Sequence, residues 1–355
     1  MTTSAAPGVN PTYPPSAATL DATLRRLHVY TSETLDSMCI REGQRPFVVE
    51  GLIPVGSIGL IVGDSGLGKS PLIYQLALCV ASGLPWLGMP TAQGPVLFLD
   101  LENGWLGSQK IRDSVMRHLA LTTCPAGFFC TQDIRNKRDL RAAIDAVKPV
   151  LVIIDTLRSY DSGAEENNTK AGAFLQELRT ICQQCGTSFL IVHHTKKPTE
   201  SKNVFHSAAN LETDSVLQWL NQACGARALV NQSDVRLGVA RSIKGNAALL
   251  VRGHVRINGE VGPFYLERVF DDDEQPTGYR RLAGVEFLDN KDQQAAFEKL
   301  PAAFSFKEAK TIYGRQDQAT IDFLVKCQRA GILRKPAKGR YEKVDVPRNP
   351  GMGGV

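Results

Sequence analysis

One stretch constrains this chain more than any other. Residues 63–70, "GDSGLGKS", run straight out of the apolar segment "IGLIVG" and into "PLIYQLALCVASG". Gly63, Asp64, Ser65, Gly66, Leu67, Gly68, Lys69 and Ser70 satisfy G-x-x-x-x-G-K-[ST], a phosphate-binding loop. Glycines let backbone N–H groups converge on phosphate oxygens, and the following helix adds its N-terminus. Lys69 then reaches the β- and γ-phosphates and Ser70 a Mg²⁺ ion, so the implied ligands are ATP and Mg²⁺. Pro71 falls in the first helical turn, where a backbone N–H has no intrahelical partner, and is compatible with the loop.

The loop needs a strand before it and a helix after it, and the chain repeats that alternation. Apolar runs "VLFLDLE", "GFFCTQ", "PVLVIIDT" and "TSFLIVHHT" are separated by amphipathic stretches of helical period. Strands that are apolar throughout predict an α/β fold: a mostly parallel sheet with helices on both faces. Past residue 195, "SDVRLGVARS", "AALLVRGHV" and "GPFYLERVF" predict an antiparallel extension that the acidic turn "DDDEQPTG" closes.

In such a sheet ligands sit at the C-terminal ends of the strands. Asp155 ends "PVLVIID", the place of a Mg²⁺-organising carboxylate. Asp100 and Glu102 end "VLFLDLE", where a carboxylate can take a proton from the attacking water; alternation places both on one side and does not choose between them. His193 and His194 end "FLIVHHT" at the same edge, as sensors of phosphate or as strand caps.

The order "EGLIPVGSIGLIVGDSGLGKS", "VLFLDLENG", "LVIIDTL", "FLIVHHT" and "ARALVNQSDVRLGVARS" resembles the RepA-like hexameric ATPases of the RecA/DnaB superfamily, over roughly residues 45–270. The resemblance implies a RecA-like core in which Glu102 is the catalytic base, Asp155 the Mg²⁺ carboxylate and His194 a γ-phosphate or DNA-coupling sensor. It further implies a site completed across a subunit boundary. The nearest match to the basic finger is "ARSIKG", which nominates Arg241 and Lys244 and makes a homo-hexameric ring the expected assembly. Lys196, Lys197 and Lys202 lie where such rings present DNA-binding elements to single-stranded DNA in the pore. One departure is "CGARAL", residues 224–229, in place of a Gly/Ser-rich segment.

Charge divides the chain unevenly. Residues 1–290 carry 28 basic and 29 acidic side chains, whereas residues 291–355 carry 13 and 7. In that basic segment "QQAAFEKLPAAF", "SFKEAKTIYG" and "RQDQATIDFLVKCQRAG" read as three helices, and "ILRKPAKGRYEKV" as a hairpin. This is the pattern of a winged helix-turn-helix meeting duplex DNA, with Arg334, Lys335, Lys338 and Arg340 on the wing. The expected organisation is a disordered tail at 1–20, an ATPase domain at 21–290, a winged helix at 291–345 and a second tail at 346–355.

Eight cysteines scattered among apolar segments suit reduced thiols in a cytoplasm. Cys182 and Cys185 form one C-x-x-C at a helix end with no second pair, short of a closed zinc site. No apolar run approaches the roughly 20 residues of a membrane span. The combined expectation is a Mg²⁺-dependent ATPase coupled to DNA binding or unwinding, as in a replicative or mobile-element helicase. A nucleotide-switched DNA-binding regulator and a RecA-type recombinase are the alternatives.

Overall fold

The computed structural model describes residues 47–195, 209–223, 225–242, 247–282, 288, 290–329, 332–337 and 339–344. All of them belong to one compact unit, residues 46–355. Of the expected features, the lysines at 196, 197, 202, 244 and 338 and both tails lie outside the described residues.

The short strands β1 (Phe47–Val49) and β2 (Ile53–Pro54) pair with each other ahead of the main sheet. That sheet has nine strands in the order β11-β10-β9-β8-β3-β7-β6-β4-β5. Six are parallel: β3 (Ile58–Gly63), β4 (Val96–Asp100), β5 (Phe128–Thr131), β6 (Leu151–Asp155), β7 (Ser188–His193) and β8 (Val235–Arg241). Every residue of β3, β4, β6 and β7 is buried, which is why these segments show no polar alternation in sequence.

Two apolar layers form, because successive side chains of a strand point to opposite faces. Ile58, Leu60 and Val62 join one layer with Leu140 and Ile144 of α3 (Lys137–Val147) and Phe174, Leu175 and Leu178 of α6 (Asn168–Cys185). Ile61 joins the other with α1 (Lys69–Ser82) and Val115 of α2 (Trp105–His118). Short helices α4 (Leu157–Tyr160) and α5 (Ser162–Glu166) follow β6, and α7 (Val216–Leu220) and α8 (Arg227–Gln232) precede β8. This is an α/β core, a mostly parallel sheet with helices on both faces.

The extension also forms. Strand β8 runs parallel to β3, and β9 (Leu249–Val255), β10 (Gly259–Phe270) and β11 (Pro276–Arg281) continue it antiparallel. The acidic turn therefore does not close the region: Glu274, at φ 57°, turns the chain into β11. The two amide atoms of Gln75 on α1 bond the main chain of Tyr279, Nε2 to its oxygen at 2.9 Å and Oε1 from its N–H at 3.0 Å. An edge strand is thereby tied to the helix behind the phosphate loop.

Residues 288–344 build a separate core. Helices α9 (Lys291–Lys299), α10 (Phe306–Tyr313) and α11 (Asp317–Arg329) pack with a three-stranded antiparallel sheet, ordered β12 (Ala303–Ser305), β14 (Arg340–Lys343), β13 (Leu333–Ala337). Phe297, Phe304, Phe323, Leu324 and Tyr341 fill its centre. Ser305 and Glu308 form a reciprocal capping box at the start of α10. The end of "QQAAFEKLPAAF", read as helix, is instead the edge strand β12, because Ala303–Ser305 pairs with Arg340–Glu342. Among the described residues no helix is long and apolar enough to cross a membrane.

Candidate nucleotide site

At the C-terminal edge of the sheet the ends of β3, β4, β6 and β7 bring four separate sequence segments to one cleft of about 430 Å³. Its walls include Ser65, Gly66, Gly68, Lys69 and Ser70 of the loop, Glu102 and Asn103 after β4, Asp155 of β6 and His194 after β7. Register explains the convergence: Asp100 pairs with Asp155, and Val62 with His193, so the strands finish level.

Gly68 caps α1 with φ 92°, in the left-handed region that favours glycine. A Cβ there would meet the Tyr279 hydroxyl at 2.1 Å, and one on Gly63 the Val239 carbonyl at 2.6 Å. Pro71 is the third residue of α1, and the helix runs on uninterrupted to Ser82. Leu67 is buried in the apolar layer, so its contribution to the loop is its backbone.

Lys69 folds back on the loop, donating to the carbonyls of Gly63 at 2.8 Å and Asp64 at 2.6 Å, with His194 Nδ1 at 3.4 Å. Burial lowers its ammonium below the usual lysine value, against the pull of Asp155, Glu102 and Asp64. Thr195 Oγ1 donates to the Asp64 carboxylate and ties the end of β7 to the loop. His194 is held below the usual histidine range, by burial first and the Lys69 charge second. His193, the other candidate, is buried within the strand.

The two acids of "DLE" separate completely. Asp100 is fully buried and accepts from Tyr74 Oη at 2.6 Å, Ser108 Oγ at 2.6 Å, Asn103 N at 3.1 Å and Asn103 Nδ2 at 3.0 Å. Glu102 stays open to the cleft, its side chain 45% exposed, with Oε1 3.6 Å from His194 Nε2. Asp155 is 1% exposed and accepts from Ser70 Oγ at 3.0 Å through Oδ2. Its Oδ1 is buried without a hydrogen-bond partner among the described residues. Burial pushes its pKa up to about 7, which the Ser70 hydroxyl opposes.

Arg241 ends β8, exposed, opposite Leu249 of β9, and does not line the cleft of its own chain. On the C-terminal sheet Arg334 pairs with Glu342 at 2.6 Å, Lys335 lies 5.5 Å over the Tyr341 ring, and Arg340 is exposed. Cys182 is buried and Cys185 exposed on α6. Among the described residues no three His, Cys, Asp or Glu side chains gather as a metal cluster.

A family model described as an AAA domain matches residues 23–200, a stretch that contains Lys69, Glu102, Asp155 and His194. The chain belongs to this AAA-domain family. That domain carries the phosphate loop of a P-loop nucleoside triphosphatase, and the family match ends before β8 to β11. The chain is also similar to a KaiC-like protein of the hyperthermophilic archaeon Pyrococcus horikoshii OT3. The two are 14% identical, with a TM-score of 0.42 over 66% of this chain and 93% of that one.

Sequence reading missed Arg268 and Tyr279, which line the cleft, and Tyr74, which donates to Asp100 behind it. Arg268 and Tyr279 lie on β10 and β11, about two hundred residues from the loop they reach. No spacing rule connects such positions.

Proposed function

We propose that the protein is a Mg²⁺-dependent ATPase coupled to DNA, of RepA-like type, assembling as a homo-hexameric ring. The observation that carries the catalytic part is the single cleft shared by Lys69, Ser70, Glu102, Asp155 and His194. Ser70 and Asp155 fit a divalent cation: Ser70 Oγ and Asp155 Oδ2 lie 3.0 Å apart, and the buried Asp155 Oδ1 has no hydrogen-bond partner among the described residues. When bound, Mg²⁺ offsets phosphate charge.

Glu102 acts as base. It takes a proton from water as the water oxygen bonds to the γ-phosphorus, and the bridging oxygen leaves with ADP. Its exposure to the cleft suits this, whereas Asp100 has its acceptor positions filled. Lys69 turns from the loop carbonyls toward the β- and γ-phosphates. His194, neutral and between Lys69 and Glu102, reads whether the γ-phosphate is present. Arg241 and Lys244 complete a neighbour's site. The outward position of Arg241 favours a role in trans, as such a finger stabilises transferred charge from another subunit.

Residues 291–345 act as a winged helix on duplex DNA, and Lys196 and Lys197 face single-stranded DNA in the ring. The excess of basic over acidic residues in that C-terminal segment favours a polyanionic partner. Arg340 is the freest of the described wing cations, since Arg334 has Glu342 beside it. The test is ATP turnover with and without single-stranded DNA, with mass measured under the same conditions. A hexamer whose turnover rises with DNA and which separates a forked duplex is expected. Slow, DNA-independent turnover by a non-ring species would overturn the proposal.

A further inference from the structure

Tyr279 stands at an unusual junction. Its side chain comes from β11, the far edge of the sheet, yet its hydroxyl donates to the carbonyl of Gly68 in the phosphate loop at 3.2 Å. Arg268 Nη2 donates to the same hydroxyl at 3.2 Å, and the guanidinium lies 5.7 Å from the ring centroid. Arg268 fills the acceptor side of the hydroxyl, which leaves its own hydrogen for Gly68. Only 2% of Tyr279 is exposed, and Gln75 holds its main chain at both polar atoms. Ser114 Oγ bonds the Pro276 carbonyl at 2.9 Å, so α2 also fixes the strand.

The consequence lies in the Gly68–Lys69 peptide. In a trans peptide the carbonyl and the N–H point in opposite directions. A hydroxyl that holds the Gly68 carbonyl on the side of β11 therefore turns the Lys69 N–H to the opposite side of that peptide. That N–H is the first of α1, one of the donors a helix leaves for an anion. Gly68 is at φ 92°, which a glycine leaves easily, so its orientation needs an external hold.

We propose that Tyr279, oriented by Arg268, is a positioning residue for triphosphate binding. It acts from the opposite edge of the sheet by fixing the peptide that follows Gly68. The proposal rests on the reading of the cleft as a triphosphate site. It makes β10 and β11 part of the loop's support, and it explains why a side chain on Gly68 would collide with Tyr279.

The test compares the full-length protein with Tyr279→Phe, which removes only the hydroxyl, and with Lys69→Ala. A fluorescent ATP analogue reports Kd, steady-state turnover gives KM and kcat, and thermal unfolding is followed without nucleotide. Tyr279→Phe is expected to raise Kd and KM about tenfold, the weight of roughly one hydrogen bond to a constrained group. Because the loop holds ground state and transition state alike, kcat stays within about twofold. The nucleotide-free melting temperature stays within about 2 °C, since the buried ring remains. If Lys69→Ala abolishes binding while Tyr279→Phe binds like wild type, the positioning role is wrong and the site assignment stands. If Lys69→Ala binds like wild type, the site assignment fails and this proposal with it. A loss of melting temperature with unchanged KM makes Tyr279 a packing residue only and overturns the proposal.

Discussion

Nε2 of His194 lies 3.6 Å from Oε1 of Glu102. The other ring nitrogen, Nδ1, lies 3.4 Å from the Lys69 ammonium. An ammonium has donors only, so Nδ1 presents its lone pair, and the hydrogen of the neutral ring sits on Nε2, facing Glu102. The ring therefore links the group proposed to hold phosphate to the group proposed to activate water.

Glu102→Gln keeps the size and the hydrogen-bonding reach of the side chain but removes its basicity. Turnover is expected to fall on the order of 10²- to 10⁴-fold with nucleotide binding retained. Single-turnover hydrolysis beside equilibrium binding checks this. Hydrolysis at the wild-type rate would move the base elsewhere.

Asp100 predicts a different phenotype. Replacing it by alanine strands the buried Tyr74 and Ser108 hydroxyls, each 2.6 Å from its oxygens. A cost of about 3 kcal/mol is expected for the loss of a buried acceptor that serves several donors. Urea unfolding measures it, and an unchanged midpoint would show that this hydrogen-bond cluster is dispensable.

Asp155 sets function against stability. Its pKa in the folded protein, about 7, is above its ordinary value of 3.8, so folding disfavours the ionised form. The nucleotide-free fold therefore loses stability as pH rises from about 4 through about 7, and the full penalty is present above that. In EDTA, Asp155→Asn is expected to raise the melting temperature at pH 8 and to leave it nearly unchanged at pH 4, while abolishing Mg²⁺-dependent turnover. A variant that melts lower at pH 8 contradicts the sign.

The capping box gives the C-terminal core its own acid sensitivity. Hydrogen bonds from Ser305 hold the Glu308 carboxyl below its usual value, so its contribution is present above the unfolded pKa and is lost as pH falls through the folded one. Ser305→Ala is expected to cost about 1 kcal/mol near neutral pH. Differential scanning calorimetry at pH 7 and pH 3 should show that cost shrink in acid.

Local chemistry wrote much of this protein plainly into its sequence. "GDSGLGKS" needs only its own glycines, lysine and serine to be legible, and buried parallel strands announce themselves by unbroken apolar runs. Each strand-ending acid followed, because the strands whose ends they occupy could be recognised one at a time. Sequence could not separate Asp100 from Glu102, since alternation along one strand says which side a residue faces but not what other elements bring to it. The fold decided that by setting Tyr74, Ser108 and Asn103 around Asp100 and leaving Glu102 in the open cleft. It likewise decided that Tyr279 meets Gly68 across 211 residues. The strand after an acidic turn pairs at the far edge of the sheet, and the helix behind the loop then captures it. Motifs are contacts within a segment and survive in the order of residues. Support for the loop is a contact between segments, and only the paired sheet brings it into being.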